Sequence, residues 1–364
     1  MPPFLALALV ATSAASQAVP RTDTPRAGTL RVTFEPVITT WEREFTATGK
    51  QLIGTELPTT VLVRKELRVT PLGLDFGITN RISIGGRFQA VRQFTRESFP
   101  LDPADTSGKT LADSAGVASL KALLRDTTYA FDSIGSTPRH LHYFAGDFEL
   151  EAKYRILESH DFSLSGAAIV RLPTGHQDSP NDMFDISTGN HQTDLELRVT
   201  EELTLFNRLW LNGSLRLGRQ RPGERERRIG PQDSLLLPHA TLARLNWDPG
   251  DYAAFDVAPM YRFTRVFAVG FTLGYYTQQR DRYTYRSAQD SIDVTTHMGG
   301  TPLSASVLDA GTAWRWTRLG VAMTYATPQI EGSLSFEQTV SGAGGLVPVA
   351  SVFRIVMRTS RWPF

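Results

Sequence analysis

Apolar and charged side chains alternate strictly, residue by residue, in segment after segment of this chain, and a β-strand is the structure that sends successive side chains to opposite faces. From Phe144 the even positions read Phe144, Gly146, Phe148, Leu150, Ala152, Tyr154, Ile156, and the odd ones Asp147, Glu149, Glu151, Lys153, Arg155. One face is oil and the other is ions. The same pattern sets Leu195, Leu197 and Val199 against Asp194, Glu196 and Arg198. It recurs as Leu209, Leu211, Leu215 and Leu217 against Asn212, Ser214 and Arg216, and as Phe255, Val257, Tyr261 and Phe263 against Asp256 and Arg262. After Arg265 the apolar set is Phe267, Val269, Phe271, Leu273 and Tyr275, facing Gly270, Thr272 and Gly274.

Alternation places about twelve strands, near 29–45, 60–78, 81–97, 144–157, 161–173, 192–204, 207–221, 251–264, 266–285, 306–317, 319–338 and 350–364. Tight turns are expected at Thr79 to Arg81, Glu158 to Asp161, Glu202 to Asn207, Thr264-Arg265 and Thr317-Arg318, with long polar loops between the other pairs. Short turns on one rim, long loops on the other and an even strand number predict an all-β fold: a transmembrane antiparallel up-and-down barrel of the bacterial outer membrane. Several strands exceed the roughly 9–11 residues that cross a bilayer tilted, so they should project beyond it. In loop 98–143 the stretch Ser107 to Arg125 carries leucines at helical spacing, which predicts a short helix that constricts the lumen, covers the mouth or decorates the surface.

Composition agrees with a barrel whose two faces average out: 41% of residues are hydrophobic and 21% charged, and no run after the first residues approaches the ~20 apolar residues of a spanning helix. Phe4 to Ala15 followed by Ser16-Gln17-Ala18 reads as a signal peptide over 1–18, with the barrel over 19–364 beginning at Val19. Cysteine is absent, which removes disulfides, thiolate metal sites and a lipid-anchored N-terminus. The 38 basic and 37 acidic residues nearly cancel, so nothing favours a nucleic-acid partner. No cofactor is expected. The partners expected are the lipid bilayer, a small-molecule solute and, because a terminal aromatic (Phe364) resembles the signal read by barrel-assembly machinery, that machinery.

Two stretches carry a more specific likeness. Leu72 to Phe88 (LGLDFGITNRISIGGRF) and Ile169 to Leu197, with Leu-Pro-Thr-Gly at 172–175 and Thr188-Gly189 before a strand, resemble the outer-membrane barrel family named for phenol meta-pathway degradation. The resemblance implies a barrel and a channel for small, often hydrophobic, compounds. It departs at Asn190-His191, where the family continues with glycine and small residues. Without any ligand, Gly77, Asn80 and Gly175 read as turn residues suited to positive φ, and Pro173 as a strand end at the rim.

The inward, charged positions are the candidates for function. They are Arg64, Glu66, Arg68, Arg87, Glu149, Glu151, Arg155, Arg171, Glu196, Arg198, Arg216, Asp256, Arg262 and Arg315, with Arg31, Glu35, Asp147, Asp194 and Asp309 in the wider set. Mixed charge can line an aqueous path or cross-brace a narrow wall, because a charge in a tight interior needs a partner. Passive uptake of small molecules and a closed structural or adhesive barrel are therefore both open. An enzyme of the outer-membrane phospholipase type is a third reading, resting on His176 and Ser179 in one loop. His140 and His142 lack a further ligand for a metal, and no catalytic or metal residue is assigned.

Overall fold

The computed structural model describes residues 21–53, 62–98, 122–123, 125–131, 144–182, 187–189, 191–230, 237–327, 330–345 and 347–363. The expected signal peptide 1–18, Phe364, His140, His142 and nearly all of Ser107 to Arg125 lie outside them; of that stretch, Ala122, Leu123 and Arg125 are helical.

Among the described residues, twelve antiparallel strands close into one barrel. The first is Thr29–Phe34, continued past Glu35-Pro36 by Val37–Trp41. It is followed by Leu62–Gly77, Ile82–Ser98, Phe148–Glu158, Phe162–Leu172, Asp194–Leu205, Leu209–Gln220, Tyr252–Arg262, Phe267–Gln278, Trp314–Ala326, Ile330–Ala343 and Ser351–Pro363. The last pairs with both segments of the first, so no edge is left open. Pro36 explains the break in the opening strand: it has no N–H to give the ladder, while its carbonyl still accepts from Ile355 N at 3.0 Å.

One rim carries tight turns. Leu205 and Leu209 are joined through Phe206 and Asn207, both at positive φ (51° and 57°), as a primed hairpin turn requires. The other rim carries a small cap. Gly223–Arg228, Leu242–Asp248 and Arg282–Tyr285 form a three-stranded sheet, covered by helix Ala288–His297 over a core of Ile229, Leu245, Trp247, Tyr283 and Val294.

Four sequence expectations are corrected. The strand expected over 266–285 divides into the wall strand Phe267–Gln278 and the cap strand Arg282–Tyr285. The strands expected over 306–317 and 319–338 are Trp314–Ala326 and Ile330–Ala343, and Ala305–Asp309 is a 3-10 turn. Thr317-Arg318 is a register shift inside a strand, not a turn; the turn follows at Thr327, whose N–H donates to Ile330 O at 2.8 Å. The alternation there changes phase because the lumen face is itself apolar, with Trp316 buried inward and Leu319, Val321 and Met323 exposed outward. Helix Ala288–His297 was expected as loop; its signal was the capping box of Ser287 and Asp290, which the β-branched residues behind it obscured.

The outer wall is apolar from the short-turn rim upward. Leu72, Leu74, Phe76, Leu195, Leu197, Leu217, Phe271, Val321 and Phe336 are all exposed there, Phe271 at 69%. Such a belt, unpartnered by protein, is the surface a barrel presents to hydrocarbon. Glu201 departs from it, exposed on the outward row between Val199 and Leu203 and lying over Gly213.

Candidate functional site: the lumen

The inward faces converge on three groups of charges. The largest centres on Arg171, whose Nε lies 3.2 Å from Glu149 Oε1 and whose Nη1 lies 2.9 Å from Asp194 Oδ2, with Glu196 Oε2 at 3.8 Å from Nη2. Arg198 links Glu196 (2.8 Å) to Glu151 (3.3 Å), and Arg87 reaches Glu149 at 3.8 Å. Tyr252 Oη donates to Glu196 Oε2 at 2.6 Å, and Arg216 pairs with Asp256 at 3.1 Å. Every one of these groups sits on a different strand from its main partner or two residues along the same one, so the network stitches adjacent strands together from inside. On the far wall Arg354 lies between Glu35 (3.6 Å) and Glu337 (3.7 Å), and Arg358 pairs with Glu331 at 3.2 Å.

The third group belongs to the segment before the first strand, which lies inside the barrel near the short turns. Arg21 reaches Glu202 at 2.9 Å and Glu331 at 3.3 Å, on strands five places apart around the ring of twelve, so it bridges nearly opposite walls. Lys153 Nζ donates to the carbonyls of Arg21 (2.8 Å) and Asp23 (3.1 Å), Arg31 pairs with Asp23 at 2.5 Å, and Arg155 Nη2 donates to Thr24 Oγ1 at 2.9 Å. Arg21 and Arg262 each stack over the Trp210 ring, at 5.0 and 4.8 Å. The segment from Arg21 to Asp23 is held by side chains of the wall, not by strand pairing.

Both sequence motifs turn out to be contacts of the backbone. In the first, Asn80 Oδ1 accepts from Ala27 N (3.1 Å), its carbonyl accepts from Thr24 Oγ1 (2.9 Å), and Gly77 O accepts from Gly28 N (2.8 Å). In the second, Thr174 Oγ1 donates to Gly146 O, Thr188 Oγ1 to Ala145 O and Gly175 N to Asp147 Oδ1, all at 2.8–2.9 Å. The expectation of positive φ at Gly77, Asn80 and Gly175 is corrected: none of them adopts it. Glycine is required by close approach instead, since a Cβ on Gly77 would lie 2.2 Å from Arg26 O and one on Gly175 2.6 Å from Gly189 Cα.

Of the sequence candidates, Arg87, Glu149, Glu151, Arg155, Arg171, Glu196, Arg198, Arg216, Asp256 and Arg262 face the lumen, as do Arg31, Glu35, Asp147 and Asp194. Arg64, Glu66, Arg68 and Arg315 do not. The first three share the outward row of Leu72, Leu74 and Phe76, while Lys65 between them is fully buried; Arg315 shares the row of Leu319 and Val321. Charge was read as lumen, but a strand of 16 residues rises past the hydrocarbon, and above it an outward charge is in water or headgroups. Asp309 sits in the cap, accepting from Tyr283 N at 2.8 Å. Sequence reasoning missed Arg318, Glu331, Glu337, Arg354 and Arg358, all inward. It also missed an aromatic cluster near the long-loop rim, in which Tyr276 stacks on Tyr252 and Trp316 at 5.6 Å each and meets Trp314 at 4.9 Å. Inward aromatics cannot be told from lipid-facing ones by period alone.

No family model matches the chain, and no curated protein does. Solved structures do. Over 93% of this chain and 98% of the other, the fold is similar to an outer membrane channel from Pseudomonas putida F1 (TM-score 0.58, 11% identity), which establishes the barrel architecture. A monoaromatic hydrocarbon channel, TodX (TM-score 0.42, 8% identity, 98% and 99% covered), and the translocator domain of the autotransporter NalP from Neisseria meningitidis (TM-score 0.42, 10% identity, 96% and 93% covered) also match.

Above the wall, Asp178 ties the cap to the 173–193 connection. Its carboxylate accepts from Arg225, and from Arg227 Nη1 at 2.7 Å. Burial alone would raise its pKa, but the two guanidinium groups outweigh burial and hold it far below the ordinary carboxylate value. A depressed folded pKa contributes stability that is present above the unfolded pKa of about 3.9 and is lost as pH falls through the folded value. The hydrogen-exchange protection factor of 223–228, corrected for the pH dependence of intrinsic exchange, should therefore be the same at pH 5 as at pH 7 and fall only below about pH 4. Asp178→Asn should cost roughly 1–3 kcal/mol of local protection at pH 7 and abolish that acid-dependent change. An unchanged acid response in the variant would assign it to another group.

Proposed function

We propose that this chain is an outer-membrane channel for passive uptake of small molecules, with apolar and aromatic solutes favoured. The observation that carries the reading is the segment from Arg21 to Asp23, which fills the short-turn end of a polar lumen through ion pairs and side-chain hydrogen bonds alone. A stopper held this way can leave without unzipping a strand. Side chains grown inward from the wall would close a barrel permanently at no such risk. The likeness to a channel of known structure and the family resemblance of both motifs, finer than any match found, point the same way. The solute class rests on that resemblance and on the inward rings Tyr252, Tyr276, Trp314 and Trp316, whose stacked faces suit a flat apolar molecule. The reading includes no catalysis; in the loop that bears His176 and Ser179, Gly175 N donates to Asp147 Oδ1 and His176 N to Thr188 Oγ1.

The competing reading is a closed structural or adhesive barrel, favoured by the density of ion pairs around Arg171. Single-channel conductance in planar bilayers separates the two. The full chain should give small, intermittent currents, and Arg21→Ala/Asp23→Ala should raise the open fraction severalfold. Proteoliposomes should take up a monoaromatic probe faster with wild type than with Trp316→Ala. Silence from both proteins, with solute uptake no faster than in empty vesicles, would leave the closed barrel standing.

A further inference from the structure

Among the described residues, every inward arginine of the wall strands lies within 3.8 Å of a carboxylate except Arg262 and Arg318. Each of these two lies over an inward tryptophan instead. Arg262 Cζ is 4.8 Å from the centre of the Trp210 ring, and Arg318 Cζ is 4.1 Å from that of Trp316. Arg262 belongs to the short-turn end, where Arg21 of the stopper covers the same Trp210 ring at 5.0 Å. Arg318 stands toward the long-loop rim, on Trp314–Ala326.

Trp316 closes a stack of rings that crosses three neighbouring strands. Tyr252 stacks on Tyr276 and Tyr276 on Trp316, at 5.6 Å each and with 21° and 7° between their planes. Phe45 and Val347 pack on the same group. Arg318 is thus held by its flat face, and cation–π contact leaves the N–H edge of a guanidinium open for an ion pair. Among the described residues it makes one hydrogen bond, from Nε to Thr339 Oγ1 at 3.4 Å. A guanidinium has five N–H donors, and this side chain is only half-buried, so the Nη fork is left to the lumen. The acids whose charge acts on Arg318 are engaged elsewhere, Glu337 by Arg354 at 3.7 Å and Asp256 by Arg216 at 3.1 Å. A cation in a narrow interior calls for an anion, and here the wall supplies none at ion-pair distance.

We propose that Arg318 and Trp316 form a binding site for the carboxylate of an aromatic acid moving through the lumen. The Arg318 fork takes the carboxylate through two N–H donors, and the solute ring lies against the tryptophans. The inference deepens the channel reading and rests on it, narrowing the solute from aromatic molecules in general to aromatic monocarboxylates. A planar guanidinium meets a planar carboxylate edge to edge. An acid whose carboxylate is conjugated to its ring is coplanar with that fork, so it extends over the same aromatic surface that holds the guanidinium. Arg262 over Trp210 repeats the pair lower in the lumen, beneath Arg21 of the stopper.

Equilibrium dialysis of the detergent-folded full chain at neutral pH tests the site with benzoate, its neutral isostere benzamide, and acetate. Wild type should bind benzoate roughly tenfold more tightly than either, the gain of a charge-assisted pair added to a ring contact. Arg318→Gln should bring benzoate to the level of benzamide, and Arg318→Lys, which keeps the charge without the fork, should fall between. Trp316→Leu should weaken benzoate and benzamide alike. Heat-modifiable migration identifies folded variants, and Arg318→Lys carries the comparison if Arg318→Gln does not fold. Benzoate bound no better than benzamide, or unmoved by either Arg318 variant, overturns the site. Acetate or chloride competing as well as benzoate overturns its aromatic part. Uptake of benzamide into proteoliposomes with no preference for benzoate in binding would sink the site and leave the channel. Arg318-dependent benzoate binding by a protein that neither conducts nor takes up solute would sink the channel reading and leave the site standing.

Discussion

Arg171→Met is expected to lower the unfolding free energy of the detergent- or vesicle-embedded protein by about 3–5 kcal/mol, the largest loss of any single lumen substitution. The reason is what it leaves behind. Arg171 is the shared partner of Glu149, Asp194 and Glu196, whose side chains are 6%, 1% and 2% exposed, so its removal strands carboxylates that water does not reach freely. Arg198 and Tyr252 still hold Glu196, and Arg87 still approaches Glu149, which makes Asp194 the most compromised of the three. Adding Asp194→Leu should therefore recover part of the loss, because replacing both partners of a buried pair costs less than breaking it. Arg171→Lys should fall between, keeping the charge but losing the fork that serves several carboxylates at once. Urea unfolding followed by tryptophan fluorescence measures each step. A loss below 1 kcal/mol for Arg171→Met would mean that water fills the lumen at this height.

Phe271→Arg should cost roughly 2–4 kcal/mol and reduce the folded, heat-modifiable fraction. Phe271 is among the most exposed apolar residues of the wall, set between Val257's strand and Val321 on the outward face, so an arginine there meets hydrocarbon. Its inward neighbour Thr272 is no fit control for an arginine facing the lumen: it is 6% exposed, and its Oγ1 lies where a Cβ on Gly320 would be only 2.7 Å away. Phe271→Leu serves instead and should be within 1 kcal/mol of wild type, since it keeps an apolar group toward lipid. Equal assembly of Phe271→Arg and Phe271→Leu would remove that strand's outward face from the bilayer.

The two results probe different physics, one the interior network and the other the surrounding solvent. The outward face was readable because a two-residue period, sustained over Leu195 to Val199 or Phe267 to Tyr275, has a single structural meaning once the strand is placed. Lumen charges within that belt, such as Arg171, Glu196 and Arg216, were readable for the same reason. The errors cluster where the period keeps its form but the solvent changes. At Arg64, Glu66, Arg68 and Arg315 the outward face leaves hydrocarbon, and charge no longer marks the inside. At Trp314 and Trp316 the inward face turns aromatic, and apolarity no longer marks the outside.

By itself, then, the sequence determined the class of fold, the number of strands and the side of the wall on which most mid-belt residues lie, because those follow from local alternation and turn chemistry. Tertiary structure alone decided the rest. It brought Glu202 and Glu331, 129 positions apart and nearly opposite on the ring, to the two sides of Arg21. It folded Leu-Pro-Thr-Gly and Thr188-Gly189 onto Asp147, and set Arg68 beside Arg92. Each of these depends on ring closure and register between strands, which no local pattern encodes: a partner across a barrel is selected by distance in space, and alternation records only which way a residue faces.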